Sequence, residues 1–393
     1  MSASKQASRE RLTPSSPDEA AGALAAAAAD GRSVRVVGGA TKRGWGHVVG
    51  QPAVELSTAG LDTIVEHNIG DLTAVLQAGV PLARAQETFA AAGQMLSVDP
   101  PLGARGAATI GGTVATADSG PLRHRFHALR DLVIGVTVAL PDGSVARAGG
   151  KVIKNVAGYD LAKLMTGAFG TLGVICQVSV RLHPRPAATA TVRAPGDDPG
   201  LLAAAAAALA RRPLEPLALD VDYKPGGGAV LARFGGITAV EQAGGAVEIL
   251  RAAGLPDAAI VEHDAPLWER QRKGQRAARG GAVIRVAGTP RRLGAVLQAA
   301  EALGARAVAR GGIGSAWIKL PAGASADHVA AINELRARVA PSPATVLDAP
   351  DAVREAVDPW GALAPATVAL MRRVKQRFDP GATCNRGIFV DGI

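Results

Sequence analysis

Apolar positions along the chain follow two periods. Behind Ser16-Pro17-Asp18-Glu19 they recur at helical spacing to residue 29 and stop at Asp30-Gly31. Serine there can cap a helix and proline suits its first turn. Residues 34–37 read as a short buried strand that empties into Gly38-Gly39-Ala40-Thr41-Lys42-Arg43-Gly44, and a second strand is predicted over 53–57. This strand–loop–strand order differs from the strand–loop–helix of a Rossmann unit. Further strands are predicted near 63–67 and 73–77, and a helix from Pro81 to about Gly93. A long loop follows over 97–120, a length compact domains usually keep for function. Residues 133–140 and 144–148 flank Pro141-Asp142-Gly143, a hairpin signal. Residues 173–182 alternate as one more strand.

His183-Pro184-Arg185-Pro186 breaks the pattern. Beyond it, strands are predicted near 217–223, 229–234, 282–287 and 315–320, with helices near 201–211, 239–252, 290–303 and 326–339. Two successive strand–strand–helix–strand blocks imply an antiparallel sheet covered on one side by helices. The tail from 366 holds a helix and then FDPGATCNRGIF. The expected division is a flexible N-terminus over 1–15, a first domain over 16–187, a smaller α+β domain over 188–340, and a segment over 341–393 that returns to the first domain.

Composition narrows the picture. Hydrophobic residues make 48% of the 393 and aromatics only 3%, so the cores must be built from Ala, Val, Leu and Ile. The net charge is +9, mostly from scattered arginines. The densest cluster, Arg270, Arg272, Lys273, Arg276 and Arg279, has Trp268 at its edge but no interleaved aromatics, so nucleic acid is not the expected partner. It reads as a solvated face or a docking surface. Two cysteines, Cys176 and Cys384, cannot alone make a zinc or iron–sulfur site. Cys176 reads as an inert core residue. The polar N-terminus lacks a signal core, and the alanine run at 201–210 is too short for a membrane span. The expectation is a cytoplasmic chain with no transmembrane segment.

Three segments carry candidate chemistry. GGATKRG can present consecutive N–H groups to an anion, with Lys42 and Arg43 adding charge, or can be a plain glycine-rich turn. Ala108-Thr109-Ile110-Gly111-Gly112-Thr113 puts two glycines at a helix start, where amides and the helix dipole would favour an anion and a flat ring could approach the backbone. The third runs through Lys154-Asn155-Val156-Ala157-Gly158-Tyr159-Asp160-Leu161 to Gly167-Ala168-Phe169-Gly170-Thr171-Leu172-Gly173-Val174-Ile175. A helix is expected to start near Asp160, and Tyr159 is expected to pack its ring and bond its hydroxyl.

Taken in order, GGATKRG, PPLGARGAATIGGTVATADSG, GYDLAKLMTGAFGTLGVICQVSVRLHP and the terminal FDPGATCNRGIF resemble the vanillyl-alcohol-oxidase (PCMH) type of FAD-binding fold. AGQMLSVDPP, ATIGG and GGKVIKNVAGYDLAKLM are closest to the glycolate oxidase FAD-binding subunit. The resemblance covers most of 34–187 and the tail. It implies an α+β chain, with a two-subdomain FAD-binding domain and an α+β cap built on an antiparallel sheet. By position Gly38, Gly39, Ala40, Thr41, Lys42 and Arg43 would hold the diphosphate. Pro100, Gly103, Ala108, Thr109, Gly111, Gly112 and Thr113 would line diphosphate and flavin. Gly170, Gly173 and Ile175 would lie by the adenosine or ribityl end, and Asn385 would reach back to the flavin. Some relatives attach FAD through His or Cys in the first loop; this loop has neither, which implies non-covalent FAD.

The resemblance further implies a subunit of a glycolate-type 2-hydroxy-acid dehydrogenase, beside a sister FAD-linked subunit and an iron–sulfur subunit, and it allows a place peripheral to the inner membrane through that complex. For the carboxylate of such a substrate Arg105, Arg123 and Arg125 are candidate anchors, and His124 and His127 candidate bases, against the plainer reading of a basic surface loop. Catalytic chains of this superfamily carry a histidine-rich motif in the cap. Here His263 and His328 stand isolated. A self-sufficient oxidoreductase on another alcohol or hydroxy acid, and a docking subunit that only keeps the fold, remain open alternatives.

Overall fold

In the computed structural model, residues 10–151 and 159–393 are described. The motif residues Lys154 to Gly158 lie outside them. Ser16 accepts from the Glu19 amide at 3.1 Å and starts the helix Pro17–Ala29, which buries Ala20, Ala21, Leu24 and Ala27. That helix shares a core with Val34, Val54, Leu56, Cys176 and Cys384. Burial pushes both thiols up to about 12, so neither is a ready nucleophile.

The first domain has two main sheets, besides a short pairing of Gln94–Met95 with His183–Pro184. Glu10–Leu12, Val54–Ser57 and Val34–Val37 form a parallel one, in that order. The strand Glu10–Leu12 corrects the expectation of a flexible segment to residue 15. Leu12 packs on the helix core and Glu10 pairs with Arg32 at 2.5 Å, which fixes the edge. The second sheet is antiparallel: Ile64–Asn68, Thr73–Gln77, Val174–Arg181, Val133–Ala139 and Val145–Gly149. The expected loop over 97–120 contains the helix Ile110–Thr116, capped by Thr109. Asp160 caps Leu161–Met165, but Tyr159 is 93% exposed rather than packed.

The cap is an eight-stranded antiparallel sheet in the order Ala259–Val261, Thr189–Gly196, Gly227–Gly235, Ala218–Lys224, Arg306–Arg310, Ser315–Leu320, Ala282–Ala287 and Ala344–Asp348. Helices Pro199–Ala210, Ala239–Ala252, Leu293–Ala302 and Ser325–Val339 pack against one face, on a large Ala/Leu/Val core. Ala344–Asp348 pairs with Ala282–Ala287, so the cap extends past the expected limit at 340. Its short run follows Ser342-Pro343 and has too few residues to show a period by itself.

The other sheet face is free of those four helices. Strand alternation sends Ala282, Ile284 and Val286 into the helix-side core and Val283 and Arg285 toward the first domain. Val283, Val308, Trp317 and Leu347 there meet Trp45 and Phe169 of the first domain. The tail then returns. Val374 and Phe378 of helix Pro365–Phe378 pack on the first domain, and buried Lys375 donates to the Thr171 carbonyl at 2.6 Å and the Cys384 carbonyl at 3.0 Å. Thr383 and Asn385 extend the parallel sheet through Val34, at 2.8 and 2.9 Å. No helix among the described residues is long and apolar enough to cross a membrane.

Candidate functional site

The strand Val34–Val37 delivers a loop whose backbone is unspent. The amides of Gly39, Ala40, Thr41 and Lys42 donate to no acceptor among the described residues. Ala40 takes a left-handed conformation, φ 55°, which turns successive N–H groups toward one side. Glycine is required at 39 by contact: a Cβ there would lie 1.5 Å from the Ala107 carbonyl oxygen. The loop therefore lies directly on the segment that feeds helix Ile110–Thr116.

Together these segments wall one cleft. Gly38, Gly39, Ala40, Thr41, Lys42, Arg43, Thr109, Gly111, Gly112, Gly170, Gly173, Ile175 and Asn385 all line it. Val36, Trp45, Ala115, Phe169 and Ile388 add an apolar surface, the kind that accepts ring systems. Pro100, Gly103, Ala108 and Thr113 are not brought to its lining. Pro100, Ala108 and Thr113 are buried supports, and Gly103 touches the Thr41 side chain from behind.

Three expected roles need correction. The helix start at Gly111-Gly112 does not offer free amides: Ile110, Gly111, Gly112 and Thr113 donate to Val80 O, Ala78 O, Thr109 Oγ1 and Thr109 O at 2.8–3.2 Å. Its glycines serve close packing, with Gly111 against Ala78. Lys42 is not a spare cation, because its ammonium lies 3.1 Å from the Asp118 carboxylate with both side chains nearly buried. Arg43 likewise pairs with Glu55. Finally, Asn385 spends its carbonyl on the Val36 amide at 2.9 Å and one N–H on the Phe169 carbonyl at 2.5 Å. It ties the tail to two walls of the cleft and so positions them.

The domain interface above the loop is held by Arg276. Its guanidinium bonds Asp348 at 2.7 and 3.1 Å and the Thr41 carbonyl at 2.8 Å. Asp348 also accepts from Trp45 Nε1 at 2.8 Å. The basic cluster at 270–279 is thus not uniformly a solvated face. Arg276 is drawn inward by a carboxylate of the other element, and Trp268 is buried with its indole N–H on Thr191 Oγ1 at 3.0 Å. Next to it Gln275 donates to the Ser119 carbonyl at 2.7 Å and meets Arg310, which pairs with Asp220 at 2.6 Å with both side chains fully buried. Burial raises the Asp220 carboxyl while Arg310 pulls it down. Asp99 is pushed up to about 6 by burial, against the Leu122 amide and nearby arginines.

The four catalytic candidates share the turn at 123–127, and none lines the cleft. Arg125 bridges to Glu215 of the cap at 3.1 Å and is exposed, as is His127. Arg105 is exposed too. Arg123 and His124 instead enter the interface. His124 packs on the Gly312 backbone, and burial, with Arg125 adding, pushes its imidazole down to about 4. It is neutral at neutral pH, with Nδ1 buried and unpartnered.

Sequence reasoning missed Arg285, Asp118 and Trp45. The one available signal was an arginine inside the apolar strand AVIRVA. Neither the Arg285 nor the Arg123 guanidinium makes a hydrogen bond or a close ion pair among the described residues. Burial lowers the Arg285 guanidinium, Arg123 lowers it further, and Asp118 opposes both. Arg285 thus feels Asp118, the carboxylate of the Lys42 bridge, while Asp131 acts on Arg123; each arginine has only partial, distant compensation.

Residues 10–149 match the family model described as FAD binding domain. The chain thus carries an FAD-binding domain, and FAD is its cofactor. In sequence it is similar to glycolate oxidase subunit GlcE of Escherichia coli, 40% identical over 130 residues, covering 33% of this chain and 37% of that one. Glycolate oxidase subunit GlcD of Bacillus subtilis is 37% identical over 135 residues, covering 34% and 28%. D-lactate dehydrogenase of Archaeoglobus fulgidus is 34% identical over 174 residues, covering 44% and 38%. The matches thus span well under half of each relative. In fold the chain is similar to alkyldihydroxyacetonephosphate synthase, with TM-score 0.69 and 15% identity over 95% of this chain and 76% of that one. Chitooligosaccharide oxidase gives 0.66 and 15%, over 95% and 90%.

Proposed function

We propose that this chain is the FAD-binding subunit of a dehydrogenase or oxidase that converts glycolate, or a closely related small 2-hydroxy acid, to the 2-oxo acid. It would pass electrons to a partner in a complex with a sister FAD-linked subunit and an iron–sulfur subunit, in the cytoplasm. The observation that carries the cofactor half is the row of unspent amides from Gly39 to Lys42, placed in a cleft with an apolar extension. FAD, when bound non-covalently there, supplies the hydride acceptor for the substrate α-carbon.

The chain's own residues supply position and charge. The four amides would bind the diphosphate, and because Lys42 and Arg43 are already paired, the backbone does most of that work. Val36, Ile175 and Phe169 would exclude water from the rings. Arg285 and Arg123 would hold the substrate carboxylate, for which two unneutralised guanidiniums in a sheltered interface are suited.

A second reading, a subunit that holds FAD without turning over substrate alone, is favoured by one observation: among the described residues, no histidine or carboxylate lines the cleft. Proton removal from the substrate hydroxyl would then need another chain. The test is to purify the full chain, count FAD per chain by absorbance, and add glycolate or D-lactate anaerobically, alone and in the native complex. Bleaching of the isolated chain supports full catalysis; bleaching only in the complex supports the second reading. Arg285→Ala is expected to raise KM roughly tenfold or more with FAD content unchanged. A folded, colourless protein that refuses added FAD overturns the cofactor assignment, and an Arg285→Ala protein with unchanged KM overturns the anchor.

A further inference from the structure

We propose that the cap carries a second ligand site, for a compact polyanion with two or more phosphate or carboxylate groups, in the cleft between its helix-free sheet face and helix Ala265–Lys273.

The cap sheet's inner face divides in two. At one end Asp220 and Arg310, which are register partners, are sealed beneath the first domain. Two residues along, on the same face, the sheet opens. Asp222, Arg306, Arg193, Lys224 and Lys319 project there, and Arg270 reaches in from the helix. The cavity they enclose is about 570 Å³, within the range of small-molecule sites. Its lining carries six cationic side chains and two carboxylates, Asp197 and Asp222. The charged heads of Arg193, Lys224, Arg270, Arg306 and Lys319 make no hydrogen bond or close ion pair among the described residues, and four of them share the one carboxylate of Asp222 at longer range.

That arrangement is unlike ordinary surface charge, in which signs are mixed. Cations from four strands and a helix converge on one concavity. Four glycines, Gly196, Gly227, Gly228 and Gly274, keep its walls low so that the charged heads face the space. Burial, followed by Arg306, lowers the Lys319 ammonium, the direction expected of a cation held among others with too few anions. Asp222 is half-buried among the cations, and with Asp197 it makes only two carboxylates against six cations, too few to neutralise them. Multivalent anion binding would. A singly charged acid would satisfy one or two of these groups and leave the rest, which is why the ligand class is polyanionic. The site is distinct from the flavin cleft and does not depend on the oxidoreductase reading.

The experiment is calorimetric titration of the full, flavin-loaded chain with inorganic pyrophosphate, citrate and acetate at low ionic strength. Pyrophosphate or citrate is expected to bind one per chain and acetate not to bind. Pyrophosphate alone would mark a phosphate ligand, citrate alone a polycarboxylate, and either supports the site. Arg270→Glu with Arg306→Glu is expected to weaken binding roughly a hundredfold, from two charge-assisted contacts at about tenfold each. Arg251→Glu with Arg338→Glu makes the same change in net charge on two other helices, Ala239–Ala252 and Ser325–Val339, and is expected to leave binding nearly unchanged. Absence of binding by both polyanions, or equal weakening by both double variants, overturns the proposal. Flavin absorbance is read on every sample, so a failure of flavin loading is recognised separately.

Discussion

The backbone cradle makes a quantitative prediction at Gly39. An ideal Cβ at this position would lie 1.5 Å from the Ala107 oxygen and 2.5 Å from its carbon. An ordinary carbon–oxygen contact needs more than 3 Å, so Gly39→Ala must separate the loop from residues 104–109 by roughly 1.5–2 Å. A hydrogen bond tolerates only a few tenths of an ångström before it weakens. At least two of the four amides from Gly39 to Lys42 would then miss their anion. Hydrogen bonds to charged groups contribute about 1.5–3 kcal/mol each, so the loss is about 3–6 kcal/mol, or a factor of about 10² to 10⁴ in Kd. Titrating FAD into the apo-protein by flavin fluorescence measures this directly. Gly22→Ala is the control: it lies exposed in helix Pro17–Ala29, and its added Cβ meets nothing within 4 Å. That variant is expected to keep its FAD affinity and gain roughly 0.5–1 kcal/mol of stability. A Gly39→Ala protein that binds FAD within roughly a factor of three of wild type would refute the cradle.

Arg276→Ala removes the bonds to Asp348 and to the Thr41 carbonyl; it is expected to cost about 2–3 kcal/mol in denaturant unfolding and to weaken FAD binding, and a loss below roughly 0.5 kcal/mol would show that the clamp is idle. His124 titrates near 4 in the fold against an ordinary 6.5, so between those values the unfolded chain binds a proton that the native one refuses. Its contribution, at most roughly 3 kcal/mol, is present above pH 6.5 and drains away as pH falls toward 4. His124→Phe is therefore expected to flatten the stability profile in that window relative to wild type. The raised Asp99 acts in the opposite sense and cancels in the comparison; parallel profiles would place His124 elsewhere.

Local signals in the sequence were strong where one side chain or turn decides the outcome. Ser16-Pro17 fixed the first helix, Pro141-Asp142-Gly143 the hairpin, and the glycine-rich loop the cleft wall, because caps and tight turns depend on few residues. Short strands at the cap edges left no period to read: Ala259–Val261 has three residues and Ala344–Asp348 five. The pairing of charges was also hidden. Lys42 and Asp118 are far apart in the chain, as are Arg43 and Glu55, so the loop looked more positive than it is. Arg285 gave only the anomaly of a guanidinium in an apolar strand, and its meaning came from the domain that faces it. The family model matches residues 10–149, in the first half of the chain, and no comparable motif stands in the cap, which was the harder half to read.

The distribution of that charge carries the last step. Where a cation has no catalytic or binding use, burial favours giving it a carboxylate, and this chain does so repeatedly: Lys42 with Asp118, Arg276 with Asp348, Arg310 with Asp220, Lys375 with Asp379. Arg285 and Arg123 break the rule at the same interface: Arg123 lowers the Arg285 guanidinium, and Arg310 lowers that of Arg123. Two desolvated guanidiniums destabilise the free protein, and Asp118, already bridged to Lys42, offsets the Arg285 charge only in part. A bound carboxylate would neutralise them at the place where the cap meets the cofactor loop. The same anion would also draw the two domains together across the Arg276 clamp, so substrate affinity and domain closure should rise and fall in step. A measured separation of the two, such as tight glycolate binding in an Arg276→Ala protein whose domains move freely, would show that Arg285 and Arg123 act without the closure inferred here.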